Sequence, residues 1–194
     1  IKLGLNKIFY KIGNCFSNKN FFSVKAVFRF YNIDFIDCHY EINEKNIEYI
    51  KSKKPDVIIS SNSIIFDDVL IKIPKLACIN RHSSLLPSYA GLWPIIQAYR
   101  NGEKEVGVSV HSMTKKIDQG IILSQKIINI KESDTIDTLY KKCFSVSATV
   151  VIEALKKIEK NDFTNVYNNY LPSYYSFPTK QDWKEFRERG GKFI

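Results

Sequence analysis

Two short stretches, DVIIS (56–60) and LACIN (76–80), are continuous apolar runs set between polar residues. Runs of that length without alternation are what strands covered on both faces of a parallel sheet produce. EVGVSVHSM (105–113) behaves differently. Its Val106, Val108 and Val110 fall on one face, as a half-buried strand requires, and IILSQKIINI (121–130) is its expected partner across the turn KKIDQG. Helical spacing marks FFSVKAVFRFYNI (21–33), after which DFIDC (34–38) reads as a short strand. NEKNIEYIKSKK (43–54) is a helix ended by Pro55, and PIIQAYRNG (94–102) a helix with Pro at its start and Gly at its end. The longest helix, capped by Ser133 or Asp134, keeps Ile136, Leu139, Tyr140, Cys143, Val146, Val150 and Leu155 on one stripe. Strands alternating with helices predict a mostly parallel α/β sheet. After Asn161 the chain turns aromatic and polar through Tyr170, Pro172, Tyr174, Tyr175 and Pro178. The pattern therefore predicts a main domain over 1–160 and an aromatic appendage over 161–194.

Composition narrows the picture. A chain of 194 residues can bury one good core. Its formal charge of +9 fits either an anionic partner or lysines spread over solvated faces. No zinc-finger or RNP-like pattern accompanies the charge, so the second account carries more weight and no DNA partner is expected. Cys15, Cys38, Cys78 and Cys143 are scattered without a C-x-x-C pair. Neither a metal site nor a disulfide framework is expected, and a reducing, cytoplasmic setting fits best. The longest uncharged helical run, 143–152, falls short of the ~20 apolar residues a bilayer needs, so no membrane span is expected. The basic, Phe-rich opening, in which Asp34 is the first acidic residue, reads as an internal amphipathic segment rather than a targeting peptide.

The chemistry gathers at INRHSSLLP (79–87). Open α/β sheets hold ligands outside the carboxyl ends of their strands, and Asn80 ends one such strand. A period of two sends Asn80 and His82 to the same side. An Asn amide can donate to a developing oxyanion, and a His can donate or shuttle a proton near neutral pH. Leu85, Leu86 and Pro87 would hold the exit loop rigid. Alone, Asn-x-His serves equally well as a structural capping pair. Asp118, in a turn whose Gly120 lets the chain pass close to a ligand, adds a third group. Facing His82, it would orient the imidazole and raise its pKa, keeping a protonated donor at neutral pH. Asn, His and Asp with no Cys or Ser beside a base suit acyl-type transfer to an external amine, without an acyl-enzyme.

The stretch 79–125 resembles the catalytic core of the folate-dependent formyltransferases. The resemblance rests on Asn80, His82, Ser84-Leu85-Leu86-Pro87, Gly91, Gly107-Val108, Val110-His111 and Asp118-x-Gly120 at their spacing. It implies a Rossmann-like formyltransferase fold, 10-formyltetrahydrofolate as formyl donor, and catalysis by Asn80, His82 and Asp118, with no metal. Ser84, Leu85, Leu86, Pro87 and Ile117 would line the folate pocket. Ser61, Asn62, Ser63, Ile64 and Ile65 would supply backbone contacts to the pterin. His111 is expected to be structural, away from the reacting centre, and His39 a solvated strand-end residue. Arg81 stands where the family carries an apolar residue and should point to the opposite side.

The resemblance further implies a first βαβ portion ahead of residue 1, missing here, which would leave DFIDC or DVIIS at an exposed sheet edge. The acceptor is a primary amine, an amino sugar on a nucleotide being the first expectation. A methionyl-tRNA formyltransferase-like domain, a formyltetrahydrofolate hydrolase and an inactive binding module are the alternatives. A tRNA partner is less favoured, and a homodimer stays open.

Overall fold

The computed structural model describes residues 23–194 except 37, 39 and 40, so His39 and the basic opening up to residue 22 lie outside it. The chain divides into two compact units at Asn46. In the first, Ser23 caps α1 (Val24–Phe30), its hydroxyl accepting the Ala26 N–H at 3.1 Å. The Phe28 and Phe35 rings lie 6.0 Å apart. Residues 34–36 and 38 form no strand, contrary to the expectation for DFIDC: they have no ladder partner among the described residues, and an extended segment becomes a strand only by pairing. The helix α2 (Glu44–Ser52) runs across the division, opened by Asn43, whose side chain accepts the Asn46 N–H.

In the second unit, β1 (Val57–Ser60) runs parallel to β2 (Ala77–His82), with Ser60 beside Asn80. A short α3 (Asp68–Ile71), capped by Asp67, lies in the connection between them. After β2 come β3 (Ala90–Gly91) and α4 (Pro94–Asn101), which has Pro at its first turn and Gly102 at its left-handed C-cap. β4 (Glu105–Ser112) pairs antiparallel with β2, and β5 (Ile122–Asn129) antiparallel with β4, giving the order β1-β2-β4-β5. The Rossmann-like α/β class thus holds, while the mostly parallel expectation applies to β1 and β2 and gives way to antiparallel pairing at β4 and β5. The cause is local. The turn between β4 and β5 is too short for the helical crossover that a parallel pair needs.

Thr135 caps α5 (Ile136–Glu159) in a reciprocal capping box with Thr138, displacing Ser133 and Asp134 from the expected role. Asp134 instead accepts the Lys131 N–H and pairs with Lys142 at 2.6 Å. Ile136, Leu139, Cys143, Val150, Ala154 and Ile158 form the buried stripe of α5, in one core with Ile79, Val106, Val108, Val110 and Leu123. Each fully buried Ile or Leu there contributes about 1.5–3 kcal/mol.

The segment 161–194 is no separate body. It belongs to the unit beginning at Ile47, because its aromatic residues complete that unit's core. β6 (Tyr174–Tyr175) pairs parallel with β3, and α6 (Lys180–Glu188) sets Phe186 5.5 Å from Tyr99 and pairs Glu185 with Arg100 at 2.9 Å. None of the described helices is long and apolar enough to cross a membrane.

Candidate active site

Opposed residues of a ladder share a face, and the β2–β4 register puts Asn80 opposite His111 and His82 opposite Ser109. Arg81, opposite Val110, therefore faces the other way, toward α5. Asp118 reaches the Asn80 face from the β4–β5 turn in a left-handed conformation, φ 54°. Gly120 lets that turn fold back on β4, since a Cβ there would lie 1.6 Å from the Ser112 carbonyl oxygen.

These placements bring four polar side chains together. His82 Nδ1 lies 3.7 Å from Asp118 Oδ2, and His111 Nε2 lies 3.3 Å from Asp118 Oδ1. The Asn80 amide nitrogen is 3.4 Å from Asp118 Oδ1 and 3.3 Å from His111 Nε2. Gly91 donates its N–H to Asp118 Oδ2 at 2.8 Å. His82 Nε2 lies 3.1 Å from the Tyr89 carbonyl, which can only accept, so the imidazole carries its proton there and leaves Nδ1 toward the carboxylate. His111 Nδ1 likewise donates to the Ser112 carbonyl at 2.8 Å.

Burial pulls the His82 pKa below its ordinary value, outweighing the Asp118 carboxylate and the Tyr89 hydrogen bond that favour the charged form. The expectation of a raised pKa is thereby corrected: in a site this dry, desolvation wins. Burial also acts to raise the Asp118 pKa. There the His111 hydrogen bond, the charge of His82 and the Gly91 N–H together prevail, and the carboxyl is held at about 2. The cluster thus pairs a neutral imidazole with a carboxylate that stays ionised.

The Asn80 amide nitrogen lies against Asp118 Oδ1, and its own Oδ1 is buried without a partner among the described residues.

The cluster lines a cleft of about 490 Å³. Ser61, Asn62, Ser63, Ile64 and Ile65 border it from the loop after β1, and Ile117 from the Asp118 turn. Ser84, Leu85, Leu86 and Pro87 do not. Leu86 is fully buried, and Leu85 fills the space beside Gly107, where a Cβ would meet its methyl at 2.3 Å. Leu86 packs with Ala90 and Ile122 in a small core of its own, and the Leu86–Pro87 peptide is cis. His111 is also corrected, since it sits inside the cluster. The alternation in EVGVSVHS contained that signal: the period that puts the valines in the core puts Gly107, Ser109 and His111 on the face of Asn80. Tyr174, from the aromatic segment after Asn161, borders the cleft too, as do Trp93 and Tyr140, which carried no signal of a role there.

Arg81 is 9% exposed and borders the cleft from its other side. Its Nε donates to Ser61 Oγ at 3.1 Å and its Nη1 to Ser83 Oγ at 2.6 Å, while the guanidinium lies 4.7 Å from the centre of the Phe144 ring.

Fold and cleft define an α/β protein with an open cleft where its parallel strands β1 and β2 end. The chain belongs to the formyl transferase family, whose model, described as "Formyl transferase", matches residues 16–155. It is 43% identical over 150 residues to the bifunctional polymyxin resistance protein ArnA of Wigglesworthia glossinidia brevipalpis, covering 74% of this chain and 23% of that one. It is 38% identical over 138 residues to methionyl-tRNA formyltransferase of Thermotoga maritima, covering 70% of this chain and 44% of the relative. The chain therefore spans less than half the length of either. Among solved structures, the formyltransferase PseJ of Anoxybacillus kamchatkensis, in complex with UDP-4,6-dideoxy-4-formamido-L-AltNAc and tetrahydrofolate, superposes with a TM-score of 0.59 at 20% identity, covering 86% of each chain. At that identity the likeness concerns the fold.

Proposed function

We propose that the chain transfers a formyl group from 10-formyltetrahydrofolate to a primary amine, with Asn80, His82 and Asp118 as the catalytic residues. One observation carries the reading: a neutral His82 with its free Nδ1 3.7 Å from an ionised Asp118, beside the unpartnered Asn80 Oδ1. The donor supplies a formyl carbon bound to a nitrogen that can leave. The loop 61–65 and Ile117 would hold it, and the hydroxyl-rich border of the cleft suits a heterocycle rich in N–H groups.

Attack of an amine on a formyl carbon makes its nitrogen positive, and one proton must move from there to the departing nitrogen. Asn80 Oδ1 accepts an N–H of the attacking amine and orients it. His82 Nδ1 takes the proton, and Asp118 stabilises the imidazolium as it forms. The same proton then passes to the leaving nitrogen, so His82 ends neutral, as it began. A carboxyl held at about 2 is too weak a base for this transfer on its own, which makes Asp118 the electrostatic partner rather than the acceptor.

An amine on a nucleotide-linked sugar is the acceptor this cleft suits first. Tyr174, from the aromatic segment, borders the cleft while half exposed, offering a face for a base or sugar ring. PseJ, the neighbour in complex with a UDP-linked formamido sugar, supports the same choice. A methionyl-tRNA acceptor is the second reading, favoured by the 38% identity to methionyl-tRNA formyltransferase. The thiols of Cys38, Cys78 and Cys143 are free, which suits a cytoplasmic setting. Single-turnover assays with 10-formyltetrahydrofolate and a UDP-linked 4-amino sugar, methionyl-tRNA or water alone separate these readings. Formylation of neither amine, with donor consumed at the same rate in water alone, would make the chain a hydrolase and end the transfer proposal.

A further inference from the structure

The proton-transfer account leaves Arg81 without a task. It is a buried cation, and burying a charge is costly unless a counter-charge or several hydrogen bonds compensate. Among the described residues it is offered two hydroxyls and an aromatic ring but no carboxylate. Nε and Nη1 are engaged, whereas Nη2 has no hydrogen-bond partner there. The two hydroxyls add to its capacity. Each accepts from the guanidinium, so each keeps its own O–H to donate elsewhere. Arg81, Ser61 and Ser83 therefore present a donor cluster around one positive charge, on the border of the cleft. A second observation points the same way. Lys116 borders that cleft as well, as does Lys115, which pairs with Asp68 at 2.6 Å, against Asp118 as its one bordering carboxylate among the described residues.

We propose that Arg81, with the Ser61 and Ser83 hydroxyls, forms a binding site for an oxyanion group, carboxylate or phosphate, carried by one of the two substrates. The planar fork of a guanidinium suits either group through paired N–H bonds. The bound anion supplies the counter-charge that the described protein leaves out. Because Arg81 faces away from Asn80 and His82 on the same strand, the anion sits off the reacting centre and anchors the substrate that bears it. The anion site is argued independently of formyl transfer; which substrate carries the anion rests on that reading.

Calorimetric titration of the chain with sodium pyrophosphate, and separately with folinate as a stable dicarboxylate analogue of the donor, decides it. Arg81→Met keeps much of the side-chain length and removes the charge. It should weaken one of the two ligands by about tenfold or more, as loss of a charge-assisted hydrogen bond does. Ser61→Ala, at an exposed position that folding does not depend on, should weaken the same ligand by about threefold or more, and it carries the test if Arg81→Met fails to fold. Loss of pyrophosphate binding assigns the site to a phosphate of the acceptor; loss of folinate binding assigns it to the donor. Unchanged binding of both ligands in the folded variants, or binding of neither by the unaltered chain, overturns the proposal. If pyrophosphate binding depends on Arg81 while folinate does not bind at all, the anion site stands and the folate reading falls.

Discussion

Two loops meet near the end of β2 and are built in opposite ways. Residues 83–91 are tied down on every side. The Leu86 N–H donates to Ser109 Oγ in the core at 3.1 Å, and that hydroxyl donates in turn to the Ser84 carbonyl at 2.7 Å. Gln125 and Asn168 both donate to the Leu86 carbonyl. At Gly91, φ is +92°, and a Cβ would lie 2.1 Å from the Tyr175 carbonyl oxygen, so β6 can press directly on the backbone whose N–H holds Asp118. Residues 61–65 lie mostly in the open. One internal hydrogen bond, from the Ile64 N–H to Asn62 Oδ1, and one from Arg81 to Ser61 restrain them. The first loop sets geometry before any ligand arrives; the second is free to fit one. Preorganisation and adaptability are divided between neighbouring segments.

The sharpest way to test that division is to remove the groups the rigid loop positions. Asn80→Ala, His82→Ala and Asp118→Asn should each slow formyl transfer by about 10²–10³ in single-turnover assays, the scale of losing one preorganised polar group at a reacting centre. Folinate affinity should change little, because the border residues 61–65 remain. Equal loss of affinity and rate would mean that the cluster binds the donor rather than acting on it.

Next in size is the support itself. Leu86→Ala leaves a hole where the side chain is fully buried, and should cost about 2–5 kcal/mol of stability, seen as a lower Tm and an earlier denaturant midpoint. Below the melt, the folinate affinity should stay near that of the parent. A variant that kept its Tm but lost folinate would return Leu86 to the pocket wall, where the resemblance put it.

Acid tests the cluster by a third route. The folded pKa of His82 lies below its unfolded value, so its contribution to stability is present above about pH 6.5 and is lost as pH falls toward the folded value. Asp118 acts in the same direction in a lower window. Its contribution is present above its unfolded pKa near 4 and is lost as pH falls through about 2, a span worth about 2 kcal/mol. Tm should therefore decline as pH falls below about 6.5 and more steeply below 4. His82→Gln should flatten the first decline and move the second to higher pH, because the His82 charge helps to hold the Asp118 carboxyl down. A His82→Gln profile that matched the parent would show that His82 titrates alike in both states.

Much of this was legible in the sequence because it depends on period. Unbroken apolar runs gave β1 and β2, alternation gave β4, and the stripe from Ile136 to Leu155 gave α5. The same arithmetic put Asn80 beside His82 and, had it been applied to the polar face of β4, would have added His111. What depends on the balance of opposed energies was not legible. Whether Asp118 or burial governs His82 is decided by how dry the site is, which no local pattern records. Nor could spacing reveal that Ser84 to Pro87 stay off the border of the cleft: a rigid motif reads alike whether it touches a ligand or packs behind the residues that do. The pairing of β3 with β6 joins residues 84 positions apart through two-residue strands, too short to leave a periodic trace.

The smallest expected effect tests the open loop. Ile65 borders the cleft and is 76% exposed, so the folded chain gains little from it. Ile65→Ala should shift stability by no more than about 0.5 kcal/mol, the range for surface positions away from special features. A ligand that covers the side chain would recover part of the apolar area, at about 0.8 kcal/mol for each methylene equivalent buried. Partial cover then predicts folinate binding weaker by about three- to tenfold, with an unchanged Tm in the absence of ligand. That is the reverse of the Leu86→Ala pattern, and the pair forms a cross-check on one comparison. A fall in Tm for Ile65→Ala would make the loop part of the scaffold, and unchanged folinate affinity would move the donor off this border of the cleft.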